Sequence, residues 1–231
     1  KKFGKLYAFD EIALPTELDP ATLETLGPHN FVNDKKDLVY SAHPKLDPKT
    51  GQWVHFGLKP RKSLSLFITV INQDQSVHEC REVPCPRYVY IHDFFLTENY
   101  YIFILHPAFI NIPRFLLGKT SFKGCFEWRG DEGNLVMVIP RDASQKVKTF
   151  PAPAAWMWHS LNAYEQGNDI ILDFSGFDQP DAVIGEESQF SRIMRAEIVP
   201  RQHPGKLRRY RIDLVAHNLH EDIVDAGDYD F

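Results

Sequence analysis

"YIHDFFLTENYYIF", residues 90–103, places one histidine and one carboxylate at the head of an otherwise aromatic, strand-like run. Phenylalanine, tyrosine and isoleucine favour a pleated, half-buried surface, so the run reads as an inward strand. A lone histidine beside such a strand is ordinarily a structural group. The purpose of His92 and Asp93 therefore has to be judged from the rest of the chain.

Working outward, short runs of β-branched and aromatic residues recur between turn clusters. They include "GKLYAFD", "DLVYSAHPKLD", "GQWVHFGLK", "LSLFITVIN", "SVHECREVP", "NLVMVIPRD", "DIILDFSGF" and "KLRRYRIDL". Such a pattern is all-β. "DPKTGQ" (47–52) and "EQGND" (165–169) have the Asp and Gly chemistry of hairpin reversals. Helix signals are sparse. "DPATLETLG" (19–27) offers Asp19 followed by Pro20 for a turn or two of helix, or else a corner between strands, and "GEESQFSRIMRAEI" (185–198) is a second helical stretch. Many short strands without alternating helices leave a sandwich, a barrel or a propeller, and no clean repeat at blade length separates them.

The 231 residues, 43% of them hydrophobic and 13% aromatic, suffice for a buried core in one or two domains. A net charge of -5 without a long basic block argues against nucleic acid as a partner. Three cysteines, Cys80, Cys85 and Cys125, are too few for a disulfide framework and read as reduced thiols of an intracellular protein. The longest apolar region, "YYIFILHPAFINIPRFLLG" (100–118), is interrupted by His106, Pro107, Asn111, Pro113 and Arg114, which makes it a poor membrane span. It could still touch a membrane surface or line an apolar channel. The chain starts without Met or a signal-like stretch, so the true N-terminus, with any targeting information, is expected to lie outside it.

Three of the ten histidines share a setting beside predicted strands with small, apolar or aromatic company: His43 in "YSAHPKLD", His92, and His159 in "WMWHSLNAYE". Their wide spacing excludes a zinc finger and the helical H-E-x-x-H arrangement. It suits a site to which separate strands each deliver one ligand.

At this point the residues resemble a known family. "HDFFLTENYYIF" and "WHSLNAYEQGNDIILD" are similar to two signatures of the carotenoid cleavage oxygenases, and "AHPKLDPKTG" and "PTELDPATLETLG" resemble two upstream segments, all in the family's order. The resemblance implies a seven-bladed β-propeller with one iron(II) on its axis, held by four histidines and used to split a carbon–carbon double bond with O₂. His43, His92 and His159 would be three of those ligands. The fourth is expected outside this chain, which resembles the central half of a longer enzyme, a single propeller domain truncated at both ends and inactive by itself. His217 and His220, in "AHNLHED", read as a charged strand end.

The resemblance also implies glutamates behind the histidines, fixing tautomer and orientation. Glu11 stands in the place of the first, and Asp230, in "GDYDF", in the place of the second, a methylene shorter. Asp93, Glu98 and Glu165 are expected to serve structure, Asp93 by satisfying a backbone or turn donor. Asn99 and Asn162 read as loop hydrogen-bonders. Trp156, Trp158, Phe94 and Phe95 read as core or tunnel lining, and Phe109, Phe115 and Leu116 as substrate contacts. The implied partners are a lipophilic polyene and O₂, with peripheral membrane contact, at a cytoplasmic or membrane-associated location. Stilbene-type cleavage, retinyl-ester isomerisation and a non-catalytic binding propeller stay open as other readings.

Overall fold

The computed structural model describes residues 2–227 apart from 12, 33–37, 61, 112, 115, 116, 122, 181–183, 185–187 and 200–202. It is nearly all β and divides into two compact units, Lys1–Tyr88 and Val89–Phe231.

In the first unit, β1 (Leu6–Ala8), β2 (Thr16–Leu18) and β3 (Thr25–Pro28) form a three-stranded antiparallel sheet. The residues between β2 and β3 make a corner rather than a helix: the Asp19 carboxylate accepts the Ala21 and Thr22 amides, both at 2.8 Å, and Leu23 then takes a left-handed φ of 63°, which ends any helical turn. A four-stranded antiparallel sheet follows, ordered β4 (Lys45–Leu46), β5 (Trp53–Pro60), β6 (Leu64–Ile71), β7 (Val77–Pro84). The β4–β5 reversal is the expected hairpin: Asp47 accepts the Lys49 amide at 2.9 Å, and Gly51 takes the left-handed φ of 69°.

The expected strand through "DLVYSAHPKLD" does not form beyond Lys45–Leu46. The described part of that stretch instead lies along β5, with the Ser41 amide donating to the Phe56 carbonyl at 2.9 Å. Gly57 is what allows this approach: a Cβ there would sit 1.8 Å from the Val39 carbonyl oxygen. The path leading to His43 is thus set by close backbone packing.

In the second unit, one four-stranded antiparallel sheet runs β8 (Phe95–Leu96), β9 (Tyr100–Leu105), β12 (Asn134–Pro140), β13 (Lys148–Ala152), and β10 (Ala108–Ile110) pairs with β11 (Phe126–Trp128) beside it. The other four-stranded sheet is a meander of β14 (Trp156–Gln166), β15 (Asp169–Phe177), β16 (Lys206–Asp213) and β17 (Asn218–Asp225). Its first hairpin turns at Gly167, as the sequence suggests. Between the two large sheets lies a core that includes Ile102, Ile104, Val136, Phe150, Leu172 and Phe174. β9, β12 and β15 are buried on both faces, which explains their continuous apolar runs. β17 is largely exposed and charged, as suits an edge.

The helix α1 (Gln189–Met194) is capped by the Ser188 hydroxyl, which accepts the Ser191 amide at 3.2 Å. No helix among the described residues is long and apolar enough to cross a membrane. Cys80, Cys85 and Cys125 form no disulfide.

Candidate metal centre

The stretch 90–103 is not one strand. Residues 91–94 lie outside the sheet ladders, Phe95–Leu96 is β8, and Thr97–Asn99 turns the chain into β9. The turn is closed by the Thr97 amide donating to the Tyr100 carbonyl at 3.0 Å. Threonine helps to break the strand because its hydroxyl bonds the local backbone, accepting the Tyr100 amide at 3.2 Å. His92 therefore stands on an irregular segment ahead of β8, not at a strand's head.

His159 lies within β14, where pairing with β15 shifts register between Met157 and Ser160 and again between Ser160 and Asn162. Irregularities of this kind re-aim side chains. His159 Nε2 comes within 3.3 Å of His92 Nε2, and both side chains are half-buried. Behind His92, the Tyr90 hydroxyl is hydrogen-bonded to Nδ1 at 3.1 Å. Trp158 packs edge-on against the His92 ring at 5.0 Å, and the Tyr90 ring lies parallel to that of Trp156 at 6.0 Å.

This donor pair fits a divalent transition metal. Two nitrogens at bond lengths of about 2.1 Å and right angles on one ion are about 3.0 Å apart, close to the observed separation. Neutral imidazole suits iron, and a partner on Nδ1 leaves Nε2 to face the ion.

Asp93 is 2% exposed and accepts three hydrogen bonds: Oδ1 from the Phe94 amide at 2.8 Å, Oδ2 from the Ser160 amide at 2.8 Å and the Ser160 hydroxyl at 2.9 Å. Glu165 accepts the Asn99 amide and side-chain Nδ2, each at 2.8 Å. Both carboxylates thus serve structure, as expected, and Asn99 is the loop hydrogen-bonder expected of it. Asn162 differs, standing on β14 opposite Asp173 because that strand runs on to Gln166. Glu98 is exposed, and its carbonyl accepts Arg141 Nη1 at 3.2 Å.

Phe94, Phe95 and Trp156 are fully buried, Phe94 stacking on Phe103 at 5.3 Å. Phe109 is half-buried, bridges to Val89 and carries the Arg129 guanidinium 4.5 Å above its ring. Phe115, Leu116 and Asp230 lie outside the described residues. In the first unit, His43 is half-buried with its amide donating to Ser41 Oγ at 3.2 Å, and Glu11 is half-buried between β1 and β2. His220 is exposed and bonds Asp222 at 3.1 Å, while exposed His217 packs on Phe150, so both keep structural roles.

Sequence reading passed over Tyr90, Ser160 and His106. The first two flank the histidine signatures by two residues and one, the signal that could have found them. His106 is buried, its Nδ1 donates to the Ala155 carbonyl at 2.7 Å, and burial pushes its pKa down to about 4. The ring is therefore neutral at physiological pH.

The chain matches the family model described as retinal pigment epithelial membrane protein over residues 2–231. It is 30% identical to isoeugenol monooxygenase of Pseudomonas putida over 99% of its length and 48% of that protein's. It is 32% identical to lignostilbene-alpha,beta-dioxygenase isozyme III of Sphingomonas paucimobilis, over 96% and 44%. The crystal structure of cobalt-substituted Synechocystis apocarotenoid oxygenase superposes with a TM-score of 0.89 at 25% identity, covering all of this chain and 48% of that one. The fold is accordingly that of a β-propeller enzyme, and the chain spans about half the length of the curated relatives it matches.

Proposed function

Because the chain belongs to the retinal pigment epithelial membrane protein family, we propose that the protein is a non-haem iron(II) dioxygenase that cleaves a conjugated carbon–carbon double bond with O₂ to give two carbonyl products. The observation that carries this reading is the convergence of His92 and His159 through their Nε2 atoms, 3.3 Å apart. His43 joins them as third ligand, Glu11 backs one of the histidines, and the fourth histidine lies outside these residues. Asp230 takes the place of a second backing glutamate. We read residues 1–231 as part of one propeller domain.

The chemistry an iron(II) ion supplies when bound is activation of O₂ beside the olefin. The protein's share is placement. His92 and His159 are turned toward one point, Tyr90 holds the outer nitrogen of His92, and the rings of Tyr90, Trp156 and Trp158 pack on one another beside the histidine pair. Phe109, Phe115 and Leu116 contact the substrate. The substrate class is a carotenoid or apocarotenoid, reached by peripheral contact with a membrane. A phenolic, stilbene-type olefin is the second reading, favoured by the 30% and 32% identities to isoeugenol monooxygenase and lignostilbene dioxygenase.

The test is turnover of an apocarotenal, a carotene and a hydroxystilbene by the intact iron-loaded protein, in air and under argon, with carbonyl products identified by mass. Aldehydes formed only in air support cleavage, and the substrate consumed assigns the class. No carbonyl product from any of them would leave the protein a non-catalytic binding propeller.

A further inference from the structure

The metal reading leaves open what holds the two imidazoles at their approach. Neither ligand stands on regular sheet: His92 precedes β8 on a segment outside the sheet ladders, and His159 falls between two register shifts of β14. A bulged strand fixes its side chains poorly unless its displaced amides are bound elsewhere. The two histidines are 67 residues apart, yet the residue after each meets the residue after the other. Asp93 Oδ2 takes both the amide and the hydroxyl of Ser160, while Oδ1 takes the Phe94 amide, so one buried carboxylate receives three donors from both ligand-bearing segments.

We propose that Asp93, through Ser160, is a positioning residue of the metal centre, which clamps the bulge of β14 to the segment ahead of β8 and so sets the distance between His92 and His159. This rests on the metal reading above. An ionised carboxylate is an acceptor only, and its bonds to amides are short and strong. Asparagine at 93 would keep the shape but turn an NH₂ toward the Ser160 amide or the Phe94 amide, opening the clamp on one side. Alanine at 160 would remove only the hydroxyl bond and leave the amide bond in place.

The experiment is titration of the intact, metal-free protein with cobalt(II), reading affinity and visible d–d bands for wild type, Asp93→Asn and Ser160→Ala, with thermal unfolding measured beside them. Wild type is expected to bind one cobalt. Asp93→Asn is expected to weaken it by about 10-fold or more and to shift the bands, and Ser160→Ala by about 3-fold with a smaller shift, following the usual loss when a ligand's support is removed. A purely structural role would lower the unfolding temperature and leave the bands of the folded variants unchanged, which would overturn the proposal. If Asp93→Asn does not fold, Ser160→Ala decides alone: wild-type affinity and bands there contradict the clamp. Wild-type protein that binds no cobalt would overturn the metal reading and the clamp together.

Discussion

Two imidazole nitrogens 3.3 Å apart cannot both carry protons comfortably, so His92 and His159 need either a shared proton or a cation between them. A different histidine shows the opposite situation. His55, 1% exposed, is enclosed by Phe9, Phe31, Tyr40 and Trp53, whose ring centroids lie 4.3–5.7 Å from its own, and neither ring nitrogen meets a hydrogen-bond partner among the described residues. Burial pushes its pKa down to about 3. The unfolded chain therefore binds this proton near pH 6.5 and the folded chain does not, so stability is full above that value and falls by about 1.4 kcal/mol per pH unit as the pH drops toward 3. Between pH 7 and pH 5, wild type should lose about 2 kcal/mol more unfolding free energy, measured in urea, than a His55→Leu variant, in which His106 still titrates. Equal losses in the two proteins would refute this. None of this is visible in "QWVHFGLK", where His55 looks like any strand residue: burial depends on Phe9 and Phe31, brought from elsewhere in the chain.

At the level of elements, the sequence signals that succeeded were those with one dominant cause. β9, β12 and β15 are continuous apolar runs because both faces are covered, and the reversals at Asp47–Gln52 and Gly167 follow from local turn chemistry. Signals failed where a backbone is fixed by contacts distant in sequence. "DLVYSAHPKLD" has strand composition, yet the part before Lys45 runs against Gly57, and the bulge carrying His159 leaves no trace in "WMWHSLNAYEQ". Gly57→Ala tests the first case. Its methyl would overlap the Val39 carbonyl oxygen, so the β5 packing must yield, and we expect a loss of about 2–3 kcal/mol in chemical denaturation. A loss below about 0.5 kcal/mol would show that the segment before His43 is not held as described.

Across the whole molecule, the all-β class was legible from spacing and composition, and the family from four short segments in order. Of the site, His92 and His159 could be picked out by resemblance. Their supports were less legible: Asp93 and Ser160 meet across 67 residues of chain, a contact that only folding creates, while Tyr90, two residues before His92, carries no motif that announces its bond to Nδ1. A centre fed by separate segments should lose its ion when any one ligand is removed, since a partial set of imidazoles holds a divalent metal far less tightly. The most direct test is iron content of the intact protein, measured for wild type beside His43→Ala, His92→Ala and His159→Ala, with O₂-dependent olefin cleavage followed in the same samples. The account predicts iron near one per chain in wild type, and loss of both iron and cleavage in each variant. Iron absent from wild type, or retained by the variants, would contradict it.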